Sequence, residues 1–156
     1  VTLVGMFYGA KRFDLIRTMI KYGLTRAVGI SLSFSVLFLF FSDIILPVFT
    51  DSPEIIRLSV LYFKIMAFAY PFITIGMTST RIMQGLGVAY PMFILTLFRV
   101  VIISASLAWY FVMILEKPVY YAWVGTLISC IITAGVSLFW LRSILRRSIK
   151  SAVEPV

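Results

Sequence analysis

Charged residues are scarce in this 156-residue sequence, and histidine is absent. Only 13% of the residues are Asp, Glu, Lys or Arg, whereas 62% are hydrophobic. Soluble globular chains have about 25% charged and about 45–50% apolar residues. So few charges cannot cover a water-exposed surface, and so much apolar surface excludes a disordered chain. The composition therefore indicates an integral membrane protein.

The sequence also has few of the residues that carry enzymatic chemistry. Cys130 is the only cysteine, which excludes an internal disulfide framework, and the missing histidine removes the commonest metal ligand. A phosphate-binding glycine loop and a nucleophile elbow are both lacking. We therefore expect a protein that is not an enzyme and that needs no cofactor or metal.

Long apolar stretches dominate what is present. A bilayer core of about 30 Å is crossed by roughly 20 helical residues. Four stretches are long enough: residues 27–49, 58–80, 90–115 and 119–141. Their hydrophobicity does not alternate as it does in the strands of a membrane barrel. We predict an all-α fold, a polytopic membrane helix bundle with four transmembrane helices in residues 27–141.

Basic segments flank this transmembrane region. Residues 1–26 are expected to hold the end of a preceding span and a basic amphipathic cytoplasmic segment continuous with the first span, and residues 142–156 a basic cytoplasmic tail. Most of the 14 Lys and Arg residues lie there, whereas Arg57 and Lys117 lie on the other side. Lys and Arg concentrate on the cytoplasmic side of membranes. We predict a multi-pass protein of the cell membrane with both ends cytoplasmic. We attribute its net charge of +8 to contact with lipid headgroups and not to nucleic-acid binding.

One stripe of the second predicted span carries polar residues and a proline. Lys64, Pro71, Thr74, Thr78 and Arg81 follow each other at helical spacing. Pro71 removes a backbone hydrogen bond in mid-span, and the freed carbonyl group is tolerated only against protein or water. The stripe is typical of a helix that lines a transporter cavity. Lys64 lies about 9 Å from the edge of its span, so its ammonium group could instead reach the headgroups.

Arg99 is the most informative single residue, because charges inside the membrane are costly and often functional. It lies roughly 12 Å into the third predicted span, and Ser106 and Tyr110 share its helix face. We consider two roles for Arg99: pairing within the bundle beside a cavity, or extension toward the headgroups.

Small and hydroxyl-bearing residues form a ladder in the fourth predicted span. Gly125, Ser129, Thr133 and Ser137 recur every four residues and so share one helix face. Small residues allow helix backbones to approach closely, and hydroxyl groups can form hydrogen bonds across the contact. The ladder predicts a packing face in a tight bundle, with the lining of a polar passage as the alternative.

Several stretches, taken in order, resemble the C-terminal part of the multidrug and toxic compound extrusion (MATE) family. They are residues 5–12 (GMFYGAKR), 49–54 (FTDSPE), 69–71 (AYP), 83–87 (MQGLG) and 98–100 (FRV). The resemblance implies the last four of twelve helices, part of the C-terminal lobe of a secondary active efflux transporter. Such transporters export amphipathic or cationic drugs and toxic compounds by proton- or sodium-coupled antiport and alternating access.

The resemblance also implies partners, and the sequence departs from the family pattern in one respect. The partners would be membrane lipid, the remaining helices of the same transporter and a small-molecule amphipathic or cationic substrate. Some family members carry an acidic cation site in this lobe, yet residues 58–80 contain no acid. We therefore expect the coupling ion, H⁺ or Na⁺, to bind outside this chain.

Two other functions are compatible with the sequence. A lipid-linked oligosaccharide flippase of the same superfamily would need a more cationic cavity, which Arg99 and Lys64 could supply. A non-transporting membrane scaffold would need neither the break at Pro71 nor the buried polarity around Arg99.

Overall fold

The computed structural model describes residues 1–116, 118 and 120–153, with side chains as far as Ser148. Lys117, Val119 and residues 154–156 lie outside the described residues, and with them the predicted start of the fourth span and the end of the predicted tail. The helices are α1 (Thr2–Gly9), α2 (Phe13–Ile45), α3 (Pro53–Gly85), α4 (Tyr90–Ile114) and α5 (Tyr120–Val153).

Four of these helices, α2 to α5, are long and apolar enough to cross a membrane. This confirms the predicted all-α bundle with four transmembrane helices. Helix α3 extends beyond its predicted apolar run at both ends, whereas α4 coincides with its run to within one residue. Because α2 already begins at Phe13, the basic segment before residue 27 and the first span form one helix, and α5 likewise continues past residue 141.

Helix α3 occupies the centre of the arrangement. It packs along α2 on one side and along α5 on the other, and α4 packs mainly against α5. A buried apolar cluster joins α1, the start of α2, the end of α3 and the C-terminal half of α5, and includes Val4, Ile16, Met83 and Leu141. The chain therefore enters and leaves the four-span region at the same end of the bundle, as an even number of crossings requires.

The end of α3 is fixed by a glycine turn. The Gly87 N–H donates to the Gln84 carbonyl oxygen, and the Val88 N–H donates to the Met83 carbonyl oxygen, each at 3.0 Å. This pattern is the Schellman motif, which requires a left-handed residue after the helix. Gly87 supplies it with a φ of +85°. The turn directs the chain from α3 straight into α4, so the last turns of α3 lie beside the first turns of α4.

The ladder on α5 is a packing face. Ser129, Thr133 and Ser137 are buried. A Cβ atom added at Gly125 would lie 3.0 Å from the Leu107 Cβ atom, so the glycine allows α4 to approach α5 closely. The small residues of this face therefore hold α4 against the rest of the bundle, which is the arrangement that positions Arg99.

Candidate functional site

A cavity of about 210 Å³ lies between α3, α4 and α5 and contains Arg99. Helix α3 contributes Thr80 and Arg81 to its polar lining, α4 contributes Thr96 and Arg99, and α5 contributes Thr133. Arg81 is exposed and Arg99 is half-buried. The structure thus brings two guanidinium groups from neighbouring helices to one site, which we call the arginine cavity.

None of the described residues that line the arginine cavity is acidic. Among the described residues, the ion pairs are Arg12 with Asp14 and Lys64 with Asp43. In the part of the chain that the structure describes, neither Arg81 nor Arg99 therefore pairs with a carboxylate. Two positive charges without a counterion make the cavity attractive to an anion.

The threonine hydroxyl groups of the cavity are already engaged as donors. Thr80 donates to the Met77 carbonyl oxygen at 2.9 Å, and Thr96 donates to a carbonyl oxygen of its own helix at 2.7 Å. Thr133 donates to the Ser129 carbonyl oxygen at 2.8 Å. Such bonds within one helix consume the hydroxyl hydrogen. The charged donors left for a ligand are the guanidinium groups of Arg81 and Arg99.

Helix α4 is widened at the position of Arg99. It follows a π-helical course over Phe98–Ala105 and again over Tyr110–Ile114. The Ser129 hydroxyl group of α5 donates to the Arg99 carbonyl oxygen at 2.7 Å, and the Ser104 and Thr126 hydroxyl groups are 3.0 Å apart. Wide turns are frequent at functional sites. Here the cross-helix hydrogen bonds fix the wide segment and, with it, the backbone that carries the Arg99 side chain.

A second site lies on the other side of α3, in an open groove of about 550 Å³ between α2 and α3. Its lining consists of aromatic, aliphatic and hydroxyl-bearing residues: Ala27, Ile30, Ser31, Phe34, Phe38, Tyr70 and Thr74. Tyr70 and Thr74 lie near the middle of α3, and the Phe38 and Tyr70 rings are 6.2 Å apart. We call this the aromatic groove. Among the described residues, its lining includes no charged side chain and includes three aromatic rings, those of Phe34, Phe38 and Tyr70.

An ion pair joins α2 and α3 nearer their connector. The Lys64 Nζ atom lies 3.0 Å from an Asp43 carboxylate oxygen, and both side chains are partly exposed. Lys64 was predicted to line a cavity or to reach the headgroups, and the pairing with Asp43 was not predicted. A signal was present, because a short connector makes α2 and α3 antiparallel neighbours and places residues near their linked ends side by side.

The structure divides the predicted site residues among different surroundings. Lys64 pairs with Asp43, Thr74 lines the aromatic groove and Arg99 lines the arginine cavity. The other predicted residues line neither of these two sites: Pro71 and Thr78 are half-buried on α3, and Ser106 and Tyr110 are exposed on α4. Arg81 lies on the predicted polar stripe of α3 but was not among the predicted site residues, and the structure brings it into the same cavity as Arg99.

Comparison with known proteins identifies relatives in one family. The family model MatE matches residues 1–110. A curated relative, the probable multidrug resistance protein NorM of Thermotoga maritima, is 23% identical over 142 residues, which are 91% of this chain and 31% of the relative. This chain therefore spans about a third of the length of that relative.

Two solved structures share the fold. The MATE transporter VcmN of Vibrio cholerae in its bent form superposes with a TM-score of 0.84 at 18% identity, over 94% of this chain and 33% of the other. A MATE structure in the bent conformation superposes with a TM-score of 0.88 at 22% identity, over 97% of this chain and 33% of the other. Because the family match covers residues 1–110 of 156, the chain belongs to the MatE family, whose members are membrane transporters and not enzymes.

Proposed function

We propose that this chain is part of the C-terminal lobe of a secondary active efflux transporter that exports amphipathic or cationic compounds. Membership of the MatE family supports transport, and the name of the Thermotoga maritima relative supports multidrug substrates. Transporters of this kind move one group of helices against another around a site near the middle of the membrane. The chain would supply one wall of that site, and the remaining helices of the transporter would supply the rest.

The observation that carries this proposal is the aromatic groove. Its volume of about 550 Å³ lies within the range of about 300–1,000 Å³ that is usual for small-molecule sites. Ring faces attract organic cations without a full negative charge, and the hydroxyl groups of Ser31 and Thr74 add polar contacts. Because the groove is open along its length, compounds of different shapes can lie in it against the helices that complete the cavity.

We place the protein in the cell membrane with both ends of the chain in the cytoplasm. The support is the excess of Lys and Arg in the first turns of α2 and the last turns of α5, which lie together at one end of the bundle. Cysteines introduced at Ser52 and Ser148 distinguish the orientations. An impermeant thiol reagent added to intact cells should label the cysteine at position 52 and spare the one at position 148, and the opposite pattern would reverse the orientation.

We propose that the coupling ion, H⁺ or Na⁺, binds outside this chain. Asp43 is the only carboxylate in the four predicted spans. Its carboxylate group already faces the Lys64 ammonium group at 3.0 Å. An ion that bound there would have to displace Lys64 first, so Asp43 is poorly suited to take up a coupling ion.

The flippase alternative receives less support from the arrangement of cations. Lys64 and Arg99, the two cations on which it depends, lie in different surroundings, since Lys64 pairs with Asp43 and Arg99 lines a cavity with Arg81. Lys64 and Arg81 are 17 residues apart on α3, or about 25 Å along the helix. At these positions Lys64 and Arg99 do not line one cationic cavity that could hold a lipid-linked sugar phosphate.

Efflux of a fluorescent cationic dye tests the proposed function. Cells that lack their own efflux pumps and express the complete transporter should accumulate less dye than cells with an empty vector. A protonophore should abolish the difference if H⁺ is the coupling ion, and a sodium ionophore if Na⁺ is. Efflux that persists after both gradients are collapsed would contradict secondary active transport.

The aromatic groove is tested in the same cells. Tyr70→Ala and Phe34→Ala should each raise the KM for the dye several-fold, because a ring face worth about 0.5–2 kcal/mol to a cation is lost. Phe93→Ala is the matched control, since Phe93 is 71% exposed on α4 and lies outside the groove. An equal effect of Phe93→Ala would show that loss of a ring, and not the groove, determines the KM.

A further inference from the structure

Arg99 lies in a position where a bare charge is costly. It follows Tyr90, the first residue of α4, by nine residues, which is about 14 Å along the helix axis and slightly deeper than the depth predicted from the sequence. Its side chain is half-buried and has no carboxylate partner among the described residues. A charged group at such a depth is normally neutralised by a partner or by contact with headgroups. The Arg81 side chain, which enters the same cavity, adds a second positive charge and increases the need for an anion.

We propose that the arginine cavity binds the phosphate group of an anionic phospholipid, with Arg99 and Arg81 as the hydrogen-bond donors. Guanidinium groups match phosphate oxygens in charge and in donor geometry. The lipid would belong to the cytoplasmic leaflet, because the α3–α4 connector is cytoplasmic in the orientation proposed above. The lipid site is separate from the substrate site in the aromatic groove, so that either can exist without the other.

The shape of the arginine cavity fits a headgroup and the first part of an acyl chain. Its volume of about 210 Å³ is too small for a whole phospholipid and suits a phosphate group with its neighbouring atoms. Phe72, Ile73 and Leu95 form an apolar wall beside the two arginines. Met77, which also lines the cavity, is exposed, so the cavity is open at the surface of the four-helix bundle. We take this opening to face the bilayer, so that a lipid enters from the side with its chains remaining in the membrane.

A lipid explains the cavity better than a free anion does. Basic pockets between transmembrane helices on the cytoplasmic side are known to take up anionic headgroups. Inorganic phosphate has no apolar part, so it would leave the wall formed by Phe72, Ile73 and Leu95 without a ligand. A carboxylate from another helix of the transporter would satisfy the charge, but would make the cavity insensitive to added lipid.

Another basic cavity, lined by Arg17, Arg142 and Arg146, lies between the first turns of α2 and the later part of α5. All three arginines are exposed and none is as buried as Arg99 in the arginine cavity, so their attraction to lipid is expected to be diffuse and screened by salt. The experiment must separate such general attraction from specific binding. Arg147 provides the control, because it is exposed on the same part of α5 and lines neither basic cavity.

Lipid binding to the purified complete transporter, measured by native mass spectrometry, tests the proposal. The titrants are phosphatidylglycerol, phosphatidylcholine and inorganic phosphate. We expect tight binding of phosphatidylglycerol that phosphatidylcholine does not reproduce. Arg99→Gln and Arg81→Gln should each weaken phosphatidylglycerol binding about tenfold, as expected for loss of a charge-assisted hydrogen bond. Arg99→Lys should have a smaller effect, and Arg147→Gln should change binding less than twofold.

Three results would overturn the proposal. If Arg147→Gln weakens binding as much as Arg99→Gln, the attraction is diffuse and the cavity is not a lipid site. If inorganic phosphate displaces phosphatidylglycerol at comparable concentration, the cavity binds a free anion. If Arg99→Gln does not fold, Arg99→Lys and Arg81→Gln replace it, and unchanged phosphatidylglycerol affinity in both contradicts the proposal. Dye efflux by the same variants is read separately, so failure of the efflux proposal leaves this test intact.

Discussion

The two sides of α3 hold their polar groups in opposite ways. On the side of α2, the cation Lys64 pairs with Asp43, and the remaining surface is an uncharged groove of rings and hydroxyl groups. On the side of α4 and α5, small residues bring the helices close, and two arginines lie in a cavity where no described residue is an acidic partner.

This difference separates two tasks that one helix can serve. A charge that is paired within the chain leaves its surroundings neutral, which suits a groove for organic cations. Arginines that are not paired within the chain create a positive site, which suits an anion. Close packing of α4 on α5 keeps the second site rigid, while the first remains open to the helices that complete the transporter. The following predictions alter one side at a time.

The largest effect is expected from overfilling the contact between α4 and α5. Gly125→Leu places a side chain where even a Cβ atom would lie 3.0 Å from the Leu107 Cβ atom. We expect a loss of stability of about 1–3 kcal/mol, seen as a lower midpoint of SDS-induced unfolding in mixed micelles. Gly135→Leu is the control, because nothing lies within 4 Å of a Cβ atom at that position. Equal midpoints for the two variants would contradict close packing on this side.

A smaller effect is expected from breaking the ion pair between α2 and α3. Asp43→Asn and Lys64→Gln should each lower stability by about 1 kcal/mol, a modest value because both side chains are partly exposed. The double variant should lose less than the sum of the single losses, because no lone charge is left behind. Strictly additive losses in the same unfolding assay would show that the two groups do not interact. Dye efflux should survive in the double variant if the coupling ion binds elsewhere.

The smallest effect is expected from the hydrogen bond that holds the wide segment of α4. Ser129→Ala removes the donor to the Arg99 carbonyl oxygen and should cost about 0.6 kcal/mol, a typical value for a hydrogen bond between membrane helices. Ser33→Ala is the matched control, since the Ser33 hydroxyl group is exposed and donates only within α2, to Gly29. The unfolding midpoint should fall for position 129 and stay constant for position 33. An equal fall in the midpoint at both positions would show that the hydrogen bond between α5 and α4 does not stabilise the fold.

Much of the fold could be predicted because long apolar runs have few alternatives in a membrane. Backbone groups in lipid must be satisfied within the segment, so an uncharged run of 20 residues forms a helix. The sites were harder to predict, because they depend on which helix faces meet. The stripe from Lys64 to Thr78 looks continuous along one helix, yet Lys64 and Thr74 lie against α2, whereas Pro71 and Thr78 line neither site.

Arg81 and the π-helical segments of α4 show where the sequence was insufficient. The spacing on α3 placed Arg81 on the polar stripe, but it did not show that Arg81 shares a cavity with Arg99 of α4. The wide course over Phe98–Ala105 depends on hydrogen bonds from α5, such as the one that Ser129 donates. Single-helix periodicity contains no information about a partner helix, so neither feature was within its reach.

Substrate protection of introduced cysteines tests most directly whether the two sides of α3 have different tasks. Thr74→Cys lies in the aromatic groove and Thr96→Cys in the arginine cavity, each in a Cys130→Ala background from which other cysteines have been removed. A cationic dye at saturating concentration should slow maleimide labelling at position 74 several-fold and leave position 96 unchanged. Protection at position 96 without protection at position 74 would contradict the assignment of the groove to substrate.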